Sequence, residues 1–185
     1  TADAAMLSEY DIDYIFAPEP HEIYPPGFST NVYVEDLSES LEGASRPGHF
    51  RGVATVVTIL FNTVRPDLAF FGRKDAQQLA IIKRLIRDLG FETEIISIPT
   101  IREPSGLAMS SRNELLSPED RSKAAVIHQG LESARNAFAK GERNAAKLAQ
   151  IVQSLLDSEP AAATDYVAVV DAESLEPIET VKDNP

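Results

Sequence analysis

Between residues 68 and 99 the hydrophobic pattern changes period twice. The run "LAFFG" (68–72) is apolar throughout, the form a strand takes when both its faces are covered. From residue 75 onward Leu79, Ile82, Leu85, Ile86 and Leu89 fall on one helical face, and Gly90 stands where a helix stops. "TEIISIP" (93–99) is again β-branched and predicts a second strand. Strand, glycine, amphipathic helix, glycine, strand is a βαβ unit, which implies parallel strands joined by a right-handed crossover. Ligands of open parallel sheets sit at the carboxyl ends of the strands. "GRKD" (72–75) and "TIREPSGLAMSSRN" (100–113) both follow such ends, so the two polar loops are expected to face one crevice.

Around this unit the pattern predicts a helix over 2–9 and a strand over 12–18 ("IDYIFAP"), then a proline-rich loop to residue 28. "TNVYVED" (30–36) alternates like a half-exposed strand, and 42–52 ("EGASRPGHFRG") is a second loop. The segment 53–64 is apolar almost all round; its β-branched content suits a strand, but its unbroken length selects a buried helix. Ser117, Pro118 and Asp120 in "SPED" form a helix start, with the helix expected to run to about residue 140 and to end at Gly141. A further helix is expected over 145–157, then a lone strand at "TDYVAVVD" (164–171). The expected architecture is α/β, with a Rossmann-like parallel-sheet domain over 1–113 and a small α+β domain over 114–185.

Composition narrows the functions available. The 185 residues suit one domain with a small appendage, and no run approaches membrane-spanning length. Acidic residues number 29 against 17 basic, a net charge of −12, which disfavours nucleic acid and anionic membranes as partners. A phosphate-bearing ligand would need a local basic pocket. With no cysteine, disulfides and thiol chemistry are excluded, and three scattered histidines suggest no metal cluster. A cytoplasmic location is the expectation.

Candidate chemistry gathers in three places. At the first corner Gly72 lets backbone approach a ligand, Asp75 could cap the helix, and Lys74 could meet a phosphate beside Arg73. The same residues also describe an ordinary capped helix with solvated charges. Gln77 and Gln78 are harder to explain that way, and Gln78 shares the side of Lys74 and Asp75. In "AMSSRN" the hydroxyls of Ser110 and Ser111 and the guanidinium of Arg112 could wrap a triphosphate, with Gly106 as a hinge. A polar turn before a helix cap is the equal alternative. Arg46 and His49, with Glu42 ahead of them, could form an anion site or a subunit contact. His128 is expected at a core edge, and His21 in solvent.

Taken in order, "IFAPEPHEIYPPGF", "LEGASRPGHFRGV", "PDLAFFGRKDAQQL", "IPTIREPSGLAMSSRN" and "LSPEDR" resemble the pantoate–β-alanine ligase family. The resemblance implies the fold of the HxGH/KMSKS-type nucleotidylyltransferase superfamily. It implies ATP-dependent joining of pantoate to β-alanine through pantoyl adenylate, with release of pyrophosphate and AMP, and with Mg²⁺ on the phosphates. It implies that Gly72, Arg73, Lys74 and Asp75 bind ATP, with Lys74 on phosphate and Asp75 towards the ribose. Ile101 matches a backbone position that reads adenine. Met109, Ser110, Ser111 and Arg112 match the family's version of the KMSKS loop, and Gln78 the glutamine that holds pantoate. Lys74, Ser110, Ser111 and Arg112 are therefore the expected catalytic set, in a homodimer.

Two positions depart from the family pattern: Arg73 stands where a glutamate is usual, and Ala76 where an aromatic is usual. The HxGH motif and a second pantoate-binding glutamine have no counterpart in this sequence. The chain is therefore expected to be the downstream part of a longer enzyme and inactive alone. A related nucleotidyltransferase and a non-catalytic structural module remain the alternatives.

Overall fold

A computed structural model of the chain describes residues 2–183. The chain divides into two compact units, Thr1–Asn31 and Val32–Pro185. In the first unit, α1 (Ala2–Leu7) and the single turn α2 (Pro20–Ile23) flank an irregular stretch. Pro20 opens α2, and the Glu19 N–H donates to Glu22 Oε2 at 2.7 Å, as in a capping box.

The second unit holds a one-turn helix α3 (Glu42–Ser45), then α4 (His49–Val64), strand β1 (Leu68–Gly72), α5 (Ala76–Leu89) and strand β2 (Glu94–Ile98). A 3₁₀ turn, Arg73–Asp75, joins β1 to α5. The strands pair in parallel, with Leu68 opposite Glu94 and Gly72 opposite Ile98. The expected βαβ unit is present. Helix α4 buries Phe50, Ala54, Val57 and Phe61 on one stripe, and α5 buries Leu79 to Ile82 and Leu85. The Phe61 ring meets Phe71 of β1 and Phe91 edge-on, with centroids 6.5 and 5.8 Å apart. Both helices thus cover one face of the pair, through Ala69, Phe71 and Ile95. On the opposite face Leu68 and Phe70 are exposed. Gly90 ends α5 at φ +66, a conformation only glycine adopts without cost.

Beyond residue 98 come a second 3₁₀ turn (Ser111–Leu115), α6 (Pro118–Lys123), α7 (Val126–Ala139) and α8 (Ala145–Asp157). Ser117 caps α6 as expected, its Oγ accepting the Asp120 N–H at 3.1 Å. The single helix expected from 117 to 140 is broken at Ala124 and Ala125, whose ψ is near −16° and −19°: the Ala125 N–H donates to the Ser122 carbonyl and the Ile127 N–H to the Ala124 carbonyl, each three residues back. Helix α8 matches its expected bounds. Gly130 lets α7 and α8 approach: a Cβ there would lie 3.1 Å from Val152 Cγ1.

Three expected strands, over 12–18, 30–36 and 164–171, are extended or looped segments without a ladder. Their alternation describes which side chains meet the core, but a strand also needs a partner's backbone. Among the described residues the last has only one isolated bridge, Val170 with Pro177, a residue that has no N–H to continue pairing. Val170 in this segment packs against the cluster of Val34, Leu37, Phe50 and Ile81, which Leu175 joins just beyond it.

Candidate functional site

Strands β1 and β2 end level with one another, so the loops that follow them emerge side by side. A cleft of about 500 Å³ opens there. Lys74, Asp75 and Gln78 line it from the first corner and Arg112 from the second. Glu42, Arg46 and His49 line it from the α3–α4 loop, and Tyr166 from the returning C-terminal segment. The two polar loops reach one cleft, the second through Arg112 alone.

The cations are arranged unequally. Lys74 Nζ lies 3.4 Å from Asp75 Oδ1, and Arg46 Nη1 lies 3.2 Å from Glu42 Oε1. Arg112 is exposed and has no ion pair among the described residues. Exposed pairs of this kind are weak, so a polyanion could recruit all three cations at small cost. Burial, and then Glu42 and Asp165, push the Tyr166 phenol above its usual value.

Gly72, Arg73, Ile101, Met109, Ser110 and Ser111 stand outside the lining. Arg73 reaches across to β2, its Nη2 donating to Ser97 Oγ at 3.3 Å. Gly72 has extended backbone (φ −74, ψ 135) that any residue adopts, and a Cβ on it would meet nothing within 4 Å. Its smallness is therefore not needed by the chain's own packing. Asp75 does not cap α5 with its side chain, contrary to expectation; at φ −99, ψ 66 its carboxylate turns to Lys74 instead.

Residues 101–113 form a strap. Its arms bridge Arg102 to Ala108, the Met109 N–H donates to the Ile101 carbonyl at 2.9 Å, and Ile101 and Met109 side chains are exposed. Ser110 Oγ accepts the Arg112 N–H at 3.3 Å, so it starts the 3₁₀ turn that carries Ser111 and Arg112. Gly106, expected as a hinge, is packed: at φ +93 a Cβ would lie 2.4 Å from His128 Cδ2. His128 is partly buried, as expected for a core edge.

The Pantoate-beta-alanine ligase family model matches residues 1–184. The chain belongs to the pantoate–β-alanine ligase family. It is 50% identical over 179 residues to the pantothenate synthetase of Heliobacterium modesticaldum, and 51% identical over 179 residues to that of Pelotomaculum thermopropionicum. Each match takes 97% of this chain and 64% of the relative. The chain thus spans about 64% of the length of these curated relatives. The crystal structure of Thermus thermophilus pantothenate synthetase superposes with a TM-score of 0.93 at 46% identity, over 98% of this chain and 66% of that one. The Francisella tularensis pantoate-beta-alanine ligase, complexed with beta-gamma ATP and beta-alanine, gives 0.67 at 35% identity, over 84% and 57% respectively. The fold is that of this ligase family, as the α/β reading expected.

Sequence reasoning missed the residues that hold the strap. Glu103 accepts from Arg121 Nη2 at 2.8 Å and Nε at 3.0 Å, and from Asn113 Nδ2 at 2.9 Å. Asn113 is buried and its Nδ2 also reaches the Ala108 carbonyl at 3.0 Å. The strap carrying Arg112 is thereby fastened to α6 and to its own other arm. Arg121, then Asn113, hold the Glu103 carboxyl below its usual value of 4.5, with burial opposing them. A depressed acid stabilises the fold above its unfolded-state pKa, and that contribution disappears as pH falls through the folded-state value. Glu103→Gln is therefore expected to melt at a lower temperature near neutrality, with the gap to wild type closing in acid. Melting curves from about pH 7 to about pH 3 check this, and a constant gap would refute it.

Proposed function

We propose that the whole protein carrying this chain joins pantoate to β-alanine at the expense of ATP, and that the cleft is part of its adenylation site. The observation that carries the reading is convergence: Lys74 and Arg112, from loops after consecutive parallel strands, line one cleft beside Gln78. In the first step a pantoate carboxylate oxygen attacks the α-phosphorus of ATP, and the bond to pyrophosphate breaks. In the second the amine of β-alanine attacks the acyl carbon, AMP leaves with the carboxylate oxygen, and the amine loses a proton.

In this reading Lys74 and Arg112 meet the phosphate charge that shifts during attack, where fixed cations act most strongly. Asp75 faces the ribose, and the open space over Gly72 admits the nucleotide. Ile101 offers backbone to the adenine. Arg73 and Met109 flank the nucleotide, and the Ser110 and Ser111 hydroxyls serve the phosphates. Gln78 orients pantoate. The described residues include no group of three His, Asp or Glu able to seat a metal. Mg²⁺ is proposed to arrive on the phosphates of the nucleotide, which need at most one or two protein carboxylates beside them.

Pantoate-dependent exchange of pyrophosphate into ATP by the whole protein tests the reading, and its absence would refute it. Gln78→Ala is expected to raise the KM for pantoate about tenfold or more, as loss of one hydrogen-bonding partner does, with a smaller change for ATP. The reverse order would put Gln78 in the wrong pocket. No helix among the described residues is long and apolar enough to cross a membrane. Homodimer assembly, a cytoplasmic location and a domain boundary at 113/114 stay proposals, open to sedimentation equilibrium, cell fractionation and limited proteolysis.

A further inference from the structure

The α3 loop reaches the cleft in a conformation the chain does not adopt freely. Leu41 has φ +50 and ψ −123, a backbone that glycine adopts freely and that disfavours any residue carrying a Cβ. Two positions later Gly43 is so close to Ser38 that a Cβ would sit 2.1 Å from its carbonyl oxygen. Such a bend persists only where its surroundings over-determine it.

Gln77 supplies that hold. It is 7% exposed, and its amide makes three hydrogen bonds. Nε2 donates to the Leu37 and Ser40 carbonyls at 2.8 Å each, and Oε1 accepts the Glu42 N–H at 3.1 Å. The grip falls on both sides of Leu41, on Ser40 before it and Glu42 after it. Gln77 itself sits in the first turn of α5, next to Gln78 and just past Lys74. Glu42 then pairs with Arg46, which lines the same cleft.

We propose that Gln77 is a positioning residue: it holds the strained α3 loop against α5 and so aims Arg46 at the anion bound in the cleft. The proposal rests on the ligase reading for its assay, in which ATP is the anion. Gln77 borders the cleft, but its amide is bonded to backbone, so it acts through Leu41, Glu42 and Arg46. Neutral and buried, it can satisfy two carbonyls and one N–H at once, which no other uncharged side chain of its length can do.

The test is a double-mutant cycle on the whole protein, with the KM and kcat for ATP as readout. Gln77→Met keeps the volume and removes all three bonds; about a tenfold rise in KM is expected, with kcat changed less. Arg46→Ala is expected to raise KM similarly, and the double variant to be no worse than the worse single one. Multiplied effects would mean that Gln77 acts elsewhere, and an unchanged KM in Gln77→Met would overturn the proposal. A wild type without pantoate-dependent exchange would instead overturn the ligase reading and leave the clamp to a second measurement. That measurement is amide hydrogen exchange of wild type, where the Glu42 N–H is expected to be protected like the amides of α5. Free exchange at Glu42 would overturn the clamp, even if Gln77→Met does not fold.

Discussion

Replacing Arg112 by alanine is expected to lower pantoate-dependent ATP–pyrophosphate exchange by about a hundredfold, the loss typical of one fixed donor aimed at transition-state charge. Lys74→Ala should cost a similar factor. The expectation is large because the rest of the molecule repels the substrate. At a net charge of −12 only local cations draw in a triphosphate, and the cleft has three. Of these, Arg112 has no competing carboxylate among the described residues, whereas Lys74 leans on Asp75 and Arg46 on Glu42. Both variants should fold normally. The Lys74 ammonium makes one weak exposed contact and Arg112 is exposed, so melting should shift by no more than about 0.5 kcal/mol in stability. Exchange at wild-type rates in either variant would remove the convergent cleft from the mechanism.

Gly43→Ala is the second large effect, and it acts through packing. The added methyl would meet the Ser38 carbonyl oxygen at 2.1 Å and its carbon at 2.7 Å, with Phe50 Cδ2 at 3.4 Å behind. Backbone atoms cannot swing aside as a side-chain tip can, and the Leu37 and Ser40 carbonyls are tied to Gln77. Overpacking of this kind costs roughly 3 kcal/mol. In a chain of this size that corresponds to a melting point lower by about 10 °C. Calorimetry reading a change of about 1 °C or less would show that the loop moves cheaply, against the geometry.

How much of this could be read beforehand follows the range of the interactions. Helix α8, the Ser117 cap and the stop at Gly90 depend on neighbours within a few residues, and the pattern located each. The parallel pair was legible because a helix of the right length lay between two apolar runs. The segments 12–18, 30–36 and 164–171 were misjudged because alternation reports a face, whereas a ladder requires a distant backbone. In the site, Lys74, Gln78 and Arg112 were visible as charged or amide groups at strand ends. Gln77 was visible too, but its role was not. One signal was present: 77, 81 and 85 lie at successive helical turns, and Ile81 and Leu85 are buried. A glutamine on that stripe must face the interior and find partners there. The Glu103–Asn113–Arg121 latch joins residues up to 18 positions apart, which no local pattern encodes.

The level ends of β1 and β2 also constrain how this sequence can drift. Inserting one residue within β2 would advance the strap by about 3.3 Å and turn its leading side chains to the other side of the sheet. On the proposed function, Arg112 would then miss the phosphate assigned to it and to Lys74. An insertion inside either strand would therefore disturb the proposed site more than one in the exposed turn near residue 160, which lies outside both strands.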